Sequence, residues 1–436
     1  MLWKSGEAGK SQGKGVKFLL YSINHAPELT GIGKYNGEMV QALAQRGIET
    51  LVVTAPPYYP EWQVHAGFSN AYSTEQQGQV RVLRNPLYVP KKVTTLKRLV
   101  LLASFAFSSF GRLLTLLREK PDVVMLVQPT LFCAPGALIY SALTGAKTIL
   151  HIQDFEVDAM FGLGMAGKAQ GSDDQPSAKK RIILGAERWL MNRFDKVSSI
   201  SHSMLAKARR KGVAEHKLMF FPNWSDTGFV NPAVESSSLR AQWGFTPEDK
   251  IVLYSGNIGQ KQGLEIVLDA AAAFADQPQV KFVIIGNGAY RDTLAADAAT
   301  RGLQNVEFKP LQAWALVPQI LALTDVHLVV QKKGVADAVL PSKLTNILAA
   351  GGHALVTAEQ HTELGELVRR HPGIYHCVEP EDSSAFIAGL RQCLAADTRS
   401  TNTIARQYAV DHINSEQVLE RFAHAVFELV NKESTR

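Results

Sequence analysis

The chain of 436 residues is 46% hydrophobic and 20% charged, which excludes a disordered or fibrous protein and leaves a folded one with a large interior. That length exceeds one ordinary core and predicts two domains of roughly 200 residues each. Charge divides in the same way: residues 1–220 carry 28 Lys/Arg against 16 Asp/Glu, and residues 221–436 carry 18 against 24. The basic first half suits an anionic partner such as a membrane surface, a phosphorylated lipid or nucleic acid; scattered solvated charge is the plainer alternative. Three scattered cysteines, Cys133, Cys377 and Cys393, argue against a disulfide framework or a zinc site.

In chain order, residues 1–15 are polar, basic and glycine-rich, and read as a disordered tail without the apolar core of a signal peptide. From residue 16 to about 225, the runs VKFLLYSI, ETLVVTA, VRVLR, DVVMLV, KTILHI, KVSSI and LMFF read as strands. Helical patterns lie between several of them, at 34–46, 96–117, 135–144, 178–193 and 203–211. Apolar runs alternating with helices predict parallel strands buried on both faces, a doubly wound α/β domain. The segment 165–180 reads as a mobile loop or insertion. After a polar stretch at 226–238 the alternation restarts with IVLYSG, KFVIIG, VEF, VHLVV, HALVTA and YHCV, predicting a second such domain over 226–405. A last helix with an apolar stripe from Val418 to Val430 falls in the closing segment 406–436.

Ligands of open parallel sheets bind beyond the carboxyl ends of the strands, so those loops hold the candidate residues. HAPELTGIGKY places Gly31 and Gly33 before the first helix; SGNIGQKQGLE places Gly256, Asn257, Gly259 and Lys261 after IVLYS. Glycine permits close backbone approach, helix N-termini offer free N–H groups and lysine adds charge, a combination suited to a diphosphate. The spacing is neither a Walker A sequence nor G-x-G-x-x-G, and tight strand–helix turns use glycine in any case. VLPSKLTNILAAGG puts Ser342 at a helix start and Lys343 in the first turn, where a cation is disfavoured unless an anion binds beside it. HIQDFEVD carries His151 and an acidic triplet, Asp154, Glu156 and Asp158, at a strand end, a set that raises the question of a metal. His151 reads equally well as a core histidine. The stretch 99–117 is apolar, broken by Arg112 and flanked by Lys91, Lys92, Lys97 and Arg98. It suits an interfacial helix or a core helix, and the two are compatible. No nucleic-acid module accompanies the basic residues, Arg81 and Arg84 included, so nucleic acid is not the expected partner.

PELTGIGKY, TAPPYYPEW, PTLFCAPG, LHIQDFEVDAM, FFPNWS, YSGNIGQKQGLE, VVQKKGVADAVLPSKLTNILAAGG and TELGEL, in this order, resemble the retaining sugar transferases of glycosyltransferase family 4 over residues 16–430. The similarity is greatest to the branch that serves bacterial exopolysaccharide assembly. It implies the GT-B architecture, two Rossmann-like domains with an interdomain cleft and a final helix returning to the first domain. It implies a nucleotide-sugar donor, pointing to GDP-fucose, with no cofactor or metal, and a lipid-linked glycan as acceptor on the cytoplasmic face of the inner membrane. On this resemblance Gly256, Asn257, Gly259 and Lys261 line the donor diphosphate and Gly286 and Gly288 lie by the base. Ser342 and Lys343 lie by the phosphates or ribose, and Gln153-Asp154 stand where the family has His-Asp. Two family glutamates fall on Ala338 and Asn346, and the Arg…Lys pair of the glycine loop appears as Asn257 and Gln262. A nucleotide-sugar 2-epimerase and a non-catalytic subunit of a polysaccharide complex are the alternatives. Donor turnover without acceptor would mark the first, and failure to bind any nucleoside diphosphate the second.

Overall fold

The computed structural model describes residues 15–28, 31–91, 94–155, 157, 178–333 and 341–431, without the side chains of residues 95, 178–180 and 261. The expected tail up to residue 14, Lys92, Glu156, Asp158, residues 165–177, Ala338 and the side chain of Lys261 thus lie outside the described residues. The chain forms two compact units, residues up to Val197 with those from Phe422 onward, and Ser198–Arg421. These divisions fall earlier than residue 225 and later than residue 405, where the sequence placed the boundaries.

The first sheet contains β1 (Lys17–Tyr21), β2 (Glu49–Thr54), β3 (Ser73–Gln77), β4 (Val80–Arg84), β5 (Val123–Gln128), β6 (Lys147–Ile152), β7 (Lys196–Ser199) and β8 (Leu218–Phe220). Their order is β3-β4-β2-β1-β5-β6-β7-β8. β1 pairs in parallel with both β2 and β5, so the winding reverses beside β1 and opens a crevice between β1 and β5. Phe18, Leu19, Leu20, Val123, Val124 and Met125 are wholly buried, as expected of central strands covered on both faces. The strand β3 was not anticipated. Its sequence, STEQQ, has no apolar alternation because it is an exposed edge strand, held antiparallel to β4 through a turn with Gly78 at φ +57°.

Helices α1 (Gly31–Gln45), α2 (Thr95–Thr115), α3 (Ala134–Thr144) and α4 (Ala178–Arg193) belong to this unit. The end of the last helix, Ser415–Asn431, returns to it: Phe422 meets Phe18 of β1 edge to face at 6.2 Å.

The second sheet contains β9 (Lys250–Ser255), β10 (Val280–Ile285), β11 (Val306–Lys309), β12 (Val326–Val329), β13 (Ala354–Thr357) and β14 (His376–Val378). The order is β11-β10-β9-β12-β13-β14, with every pair parallel. Here the winding reverses between β9 and β12, directly beside the loop that follows β9. Three further helices, Ser237–Gln242, Glu363–Arg370 and Thr403–His412, were not read as helices from the sequence.

Candidate active site

In the second unit the β9 loop is built by two interlocked glycine turns. Gly256 donates its N–H to Ile285 O and Ile258 donates to Asn287 O, which lashes the loop to the turn after β10. A Cβ on Gly286 would stand 1.8 Å from Gly256 O, and one on Gly288 would stand 2.2 Å from Ile258 O. Both residues also hold positive φ, +149° and +155°, so only glycine fits. Gly259 then precedes a short 3-10 turn, Gln260–Gln262, and donates its N–H to Gln262 Oε1. The α-helix begins at Glu265, after Gly263 has taken a left-handed φ of +65°. The side chain of Lys332, at the end of β12, lies against Gly263. A cavity of about 220 Å³ beside it is lined by Gln262, Gly263, Glu265, Gln331 and Lys332 among others.

Lys343 reaches this loop from the helix Ser342–Ala349. A Cβ built on Gly256 would lie 3.0 Å from its Nζ, and the ammonium stands 3.8 Å from the centroid of the Tyr254 ring. Lys343 keeps part of its surface, yet its charged end sits among close-set atoms, and burial drives its pKa down from 10.5 to about 7. Ser342 does not cap that helix as expected. Pro341 holds the cap position without a side-chain bond, and Ser342 is the exposed first helical residue. The Asn346 Oδ1 accepts from Ser225 Oγ at 2.7 Å, so one of its two polar atoms is engaged within the protein.

The first-unit loop is arranged differently. Gly31 starts α1 at φ +61°, and a Cβ on Gly33 would fall 2.5 Å from Glu28 Oε2. The space that glycine opens is thus filled by the protein's own carboxylate. Glu28 is buried, accepting from Asn24 Nδ2 at 3.0 Å and from the N–H groups of Tyr58 and Tyr59 at 3.2 Å each. Burial raises its pKa despite these donors. Nearby, Arg84 is buried, pairing with Glu75 and donating to Ala26 O and Ala55 O, while Arg81 pairs with Glu119. These two arginines therefore stand apart from the exposed basic group at Lys91 and Lys97.

At the end of β6, His151 is buried and shares a 3.0 Å hydrogen bond with Gln153 Nε2; burial lowers its pKa to about 3. This is a neutral core histidine rather than a base open to solvent. Asp154 is half-buried. Among the described residues no group of three or more His, Cys, Asp or Glu is placed to hold a metal ion.

The helix α2 has one face in the core and one apolar face exposed. One face is committed to the core, with Leu101, Leu102 and Phe105 buried and Ser109 Oγ 2.5 Å from Tyr21 Oη. The other exposes Leu96, Val100, Leu114 and Phe107, the last 87% exposed. By length and composition Leu96–Thr115 is long and apolar enough to cross a bilayer, but its inner face belongs to the sheet. Arg112 does not interrupt the helix: its guanidinium reaches out to Ser73 O and Thr74 Oγ1 of β3. On α3, which touches α2, Ile139 and Leu143 are exposed, and on α4, which touches α3, Ile182 and Trp189 are exposed.

Sequence reasoning missed Tyr254, Lys332 and Glu28. Tyr254 was read only as part of an apolar strand, though a tyrosine at a buried strand end must place its hydroxyl somewhere. Glu28 was visible as a carboxylate shortly before Gly31 and Gly33.

Two doubly wound parallel sheets, one carrying a cation on a glycine loop at its switch point, define a sugar-nucleotide transferase of the GT-B class. Residues 30–224 match the glycosyl transferase 4-like domain and residues 235–410 match glycosyl transferases group 1. The chain belongs to this glycosyltransferase family, family 4 of the GT-B fold. It is 50% identical over 413 residues, 94% of this chain and 100% of the relative, to the "Putative colanic acid biosynthesis glycosyl transferase WcaI" of Escherichia coli (strain K12). Among solved structures it is similar to sucrose-phosphate synthase from Thermosynechococcus elongatus, with a TM-score of 0.72 and 16% identity over 95% of this chain and 99% of that one. It is also similar to Anabaena Alr3699/HepE in complex with UDP and glucose, with a TM-score of 0.65 and 17% identity over 95% and 100% of the two chains. At these identities the structural likeness is one of fold.

Proposed function

We propose that this enzyme transfers a sugar, with retention of anomeric configuration, from a nucleoside diphosphate sugar to a lipid-linked glycan during colanic acid-type exopolysaccharide assembly. The observation that carries the reading is Lys343 delivered to the Gly256–Asn257 turn with no carboxylate to neutralise it among the described residues. In the reaction the bond from the anomeric carbon to the diphosphate oxygen breaks, leaving positive charge on the sugar and negative charge on the leaving group. Lys343 and the loop amides stabilise that negative charge. The acceptor hydroxyl attacks from the leaving-group face, its oxygen bonds to the anomeric carbon, and its proton passes to the departing phosphate oxygen. No protein base is then required, which accords with a buried, neutral His151.

Asp154 would orient a sugar or acceptor hydroxyl, Gly286 and Gly288 would border the base, and Lys261 would add a second cation at the diphosphate. The donor sugar suggested by the branch of the family is fucose, carried by GDP. Support for a nucleotide comes from the Anabaena structure, which holds UDP and glucose, and support for the pathway from the name of the Escherichia coli relative. A thermal-shift panel of GDP, UDP, dTDP and their sugars tests the donor. GDP and GDP-fucose are expected to raise the melting temperature most, and no shift with any nucleotide overturns the reading.

The exposed apolar residues of α2, with Lys91, Lys97 and Arg98 at its start, would seat the enzyme on the cytoplasmic face of the inner membrane. Vesicles containing anionic lipid should retain the wild type at low salt and retain Phe107→Ser several-fold less. No retention of the wild type removes the membrane from the proposal.

A further inference from the structure

We propose that Tyr254 is the positioning residue of the donor diphosphate site: its ring carries the Lys343 ammonium and its hydroxyl fixes the main chain at Asn257. The inference rests on the reading of the β9 loop as that site. Tyr254 is 1% exposed and lies in the core of the second unit with Val252, Ile258, Leu264 and Leu328. From this anchored position it acts in two directions. Its face lies 3.8 Å from Lys343 Nζ, and its hydroxyl donates to Asn257 O at 2.7 Å. Gly256 sits between the two, where a Cβ would be 3.0 Å from Nζ and 3.6 Å from Tyr254 Oη. One rigid side chain with two torsions therefore sets the spacing between the cation and the turn that faces the same ligand.

The choice of an aromatic ring has a physical consequence. A carboxylate in its place would orient the lysine too, but would neutralise it and repel a diphosphate. A π face attracts the ammonium through its quadrupole without setting a negative charge beside the ligand. Burial raises the phenol's pKa well above its ordinary value, so the hydroxyl remains a donor at every working pH. Tyr254 does not touch the reacting atoms; it acts through Lys343 and Asn257.

Calorimetric titration of the full-length protein with GDP and UDP tests this. If the wild type binds neither, the donor-site reading fails whatever Tyr254 does. Given wild-type binding, Tyr254→Phe keeps the ring and is expected to bind about threefold more weakly through the lost hydroxyl bond. Tyr254→Leu loses both functions and should bind about thirtyfold more weakly. The discriminating variant is Lys343→Met/Tyr254→Leu, which should bind only about threefold more weakly than Lys343→Met alone, through the lost hydroxyl bond, because the ring has no cation left to carry. Losses that simply add, or a Tyr254→Leu affinity within about twofold of the wild type, overturn the proposal. Should Tyr254→Leu not fold, Tyr254→Phe decides: wild-type affinity in that variant overturns it.

Discussion

The two units meet the same local problem, a strand that must turn into a helix through glycine, and they solve it with opposite charges. After β9, the glycines let two turns interlock and bring Lys343 against the loop. In the first turn of α1, Gly33 makes room for the buried carboxylate of Glu28, which ties the loop to the backbone of Tyr58 and Tyr59. A glycine-rich strand–helix turn thus says that something comes close, not what comes close. In one unit it is a neighbouring main chain with a cation beside it, and in the other it is an acid from five residues upstream. The two loops thus differ in the sign of the charge beside them, the Lys343 ammonium at Gly256 and the Glu28 carboxylate at Gly33.

The largest expected effect separates the two kinds of glycine. Gly286→Ala sets a methyl group against the Gly256 carbonyl and strains a φ of +149°, so a loss of about 3 kcal/mol or more is expected in chemical denaturation. No single side-chain deletion should rescue it, because the obstacle is backbone. Gly33→Ala meets mainly the side chain of Glu28. It should be destabilising alone and substantially less so in a Glu28→Gly background, which removes both the carboxylate and the Cβ that lies 2.6 Å away, an interaction readable in a double-mutant cycle. Rescue of Gly286→Ala by a second-site truncation, or additivity at Gly33 and Glu28, would break the comparison.

Next comes the cation. Lys343→Met is expected to weaken nucleoside diphosphate binding about a hundredfold, through loss of a charge-assisted contact in a partly dry site. The same substitution should not lower the melting temperature, since a charged group with no carboxylate partner among the described residues is being replaced by an apolar one of similar length. Wild-type affinity in Lys343→Met would remove this residue from the site.

The pH dependence follows with a fixed sign. The pKa of Lys343 in the folded, empty protein is about 7, below the 10.5 of an exposed lysine. Between those values the unfolded chain holds more protons, so this residue's contribution to stability rises with pH across that window. A bound diphosphate favours the ammonium. Above pH 7, binding must therefore take up a proton and weaken as pH rises, by up to about tenfold per pH unit. Calorimetry in buffers of different ionisation enthalpy should register the uptake at pH 8, and Lys343→Met should abolish it.

Much of this architecture was legible in the sequence, since near-continuous apolar runs such as VVMLV and VLY read directly as strands buried on both faces. The polar edge strand STEQQ was not, because what specifies it is a backbone pairing with β4 rather than any pattern of its own. At the site, the glycines and Lys343 were visible as residue types. Their meaning was not, because it depends on contacts between loops separated by some 30 residues, such as Gly256 with Gly286, and on a ring, Tyr254, that looks like core. Ser342 shows the same limit: serine before a helix is a fair cap, but Pro341 already held the position.

The smallest expected effect sharpens the first-unit side of the comparison. Burial raises the pKa of Glu28 above its ordinary 4.5, so the folded protein holds the proton more tightly than the unfolded chain does. Its stabilising contribution is therefore complete below about pH 4.5 and is lost as pH climbs through the raised value. Glu28→Gln keeps a carbonyl oxygen for the N–H groups of Tyr58 and Tyr59 and cannot ionise. Relative to the wild type it should gain stability between pH 4 and pH 7, measured by urea denaturation. A wild type that instead gains on Glu28→Gln over that range would mean that the carboxylate is stabilised as an anion, and the α1 turn would then resemble the β9 loop in attracting negative charge.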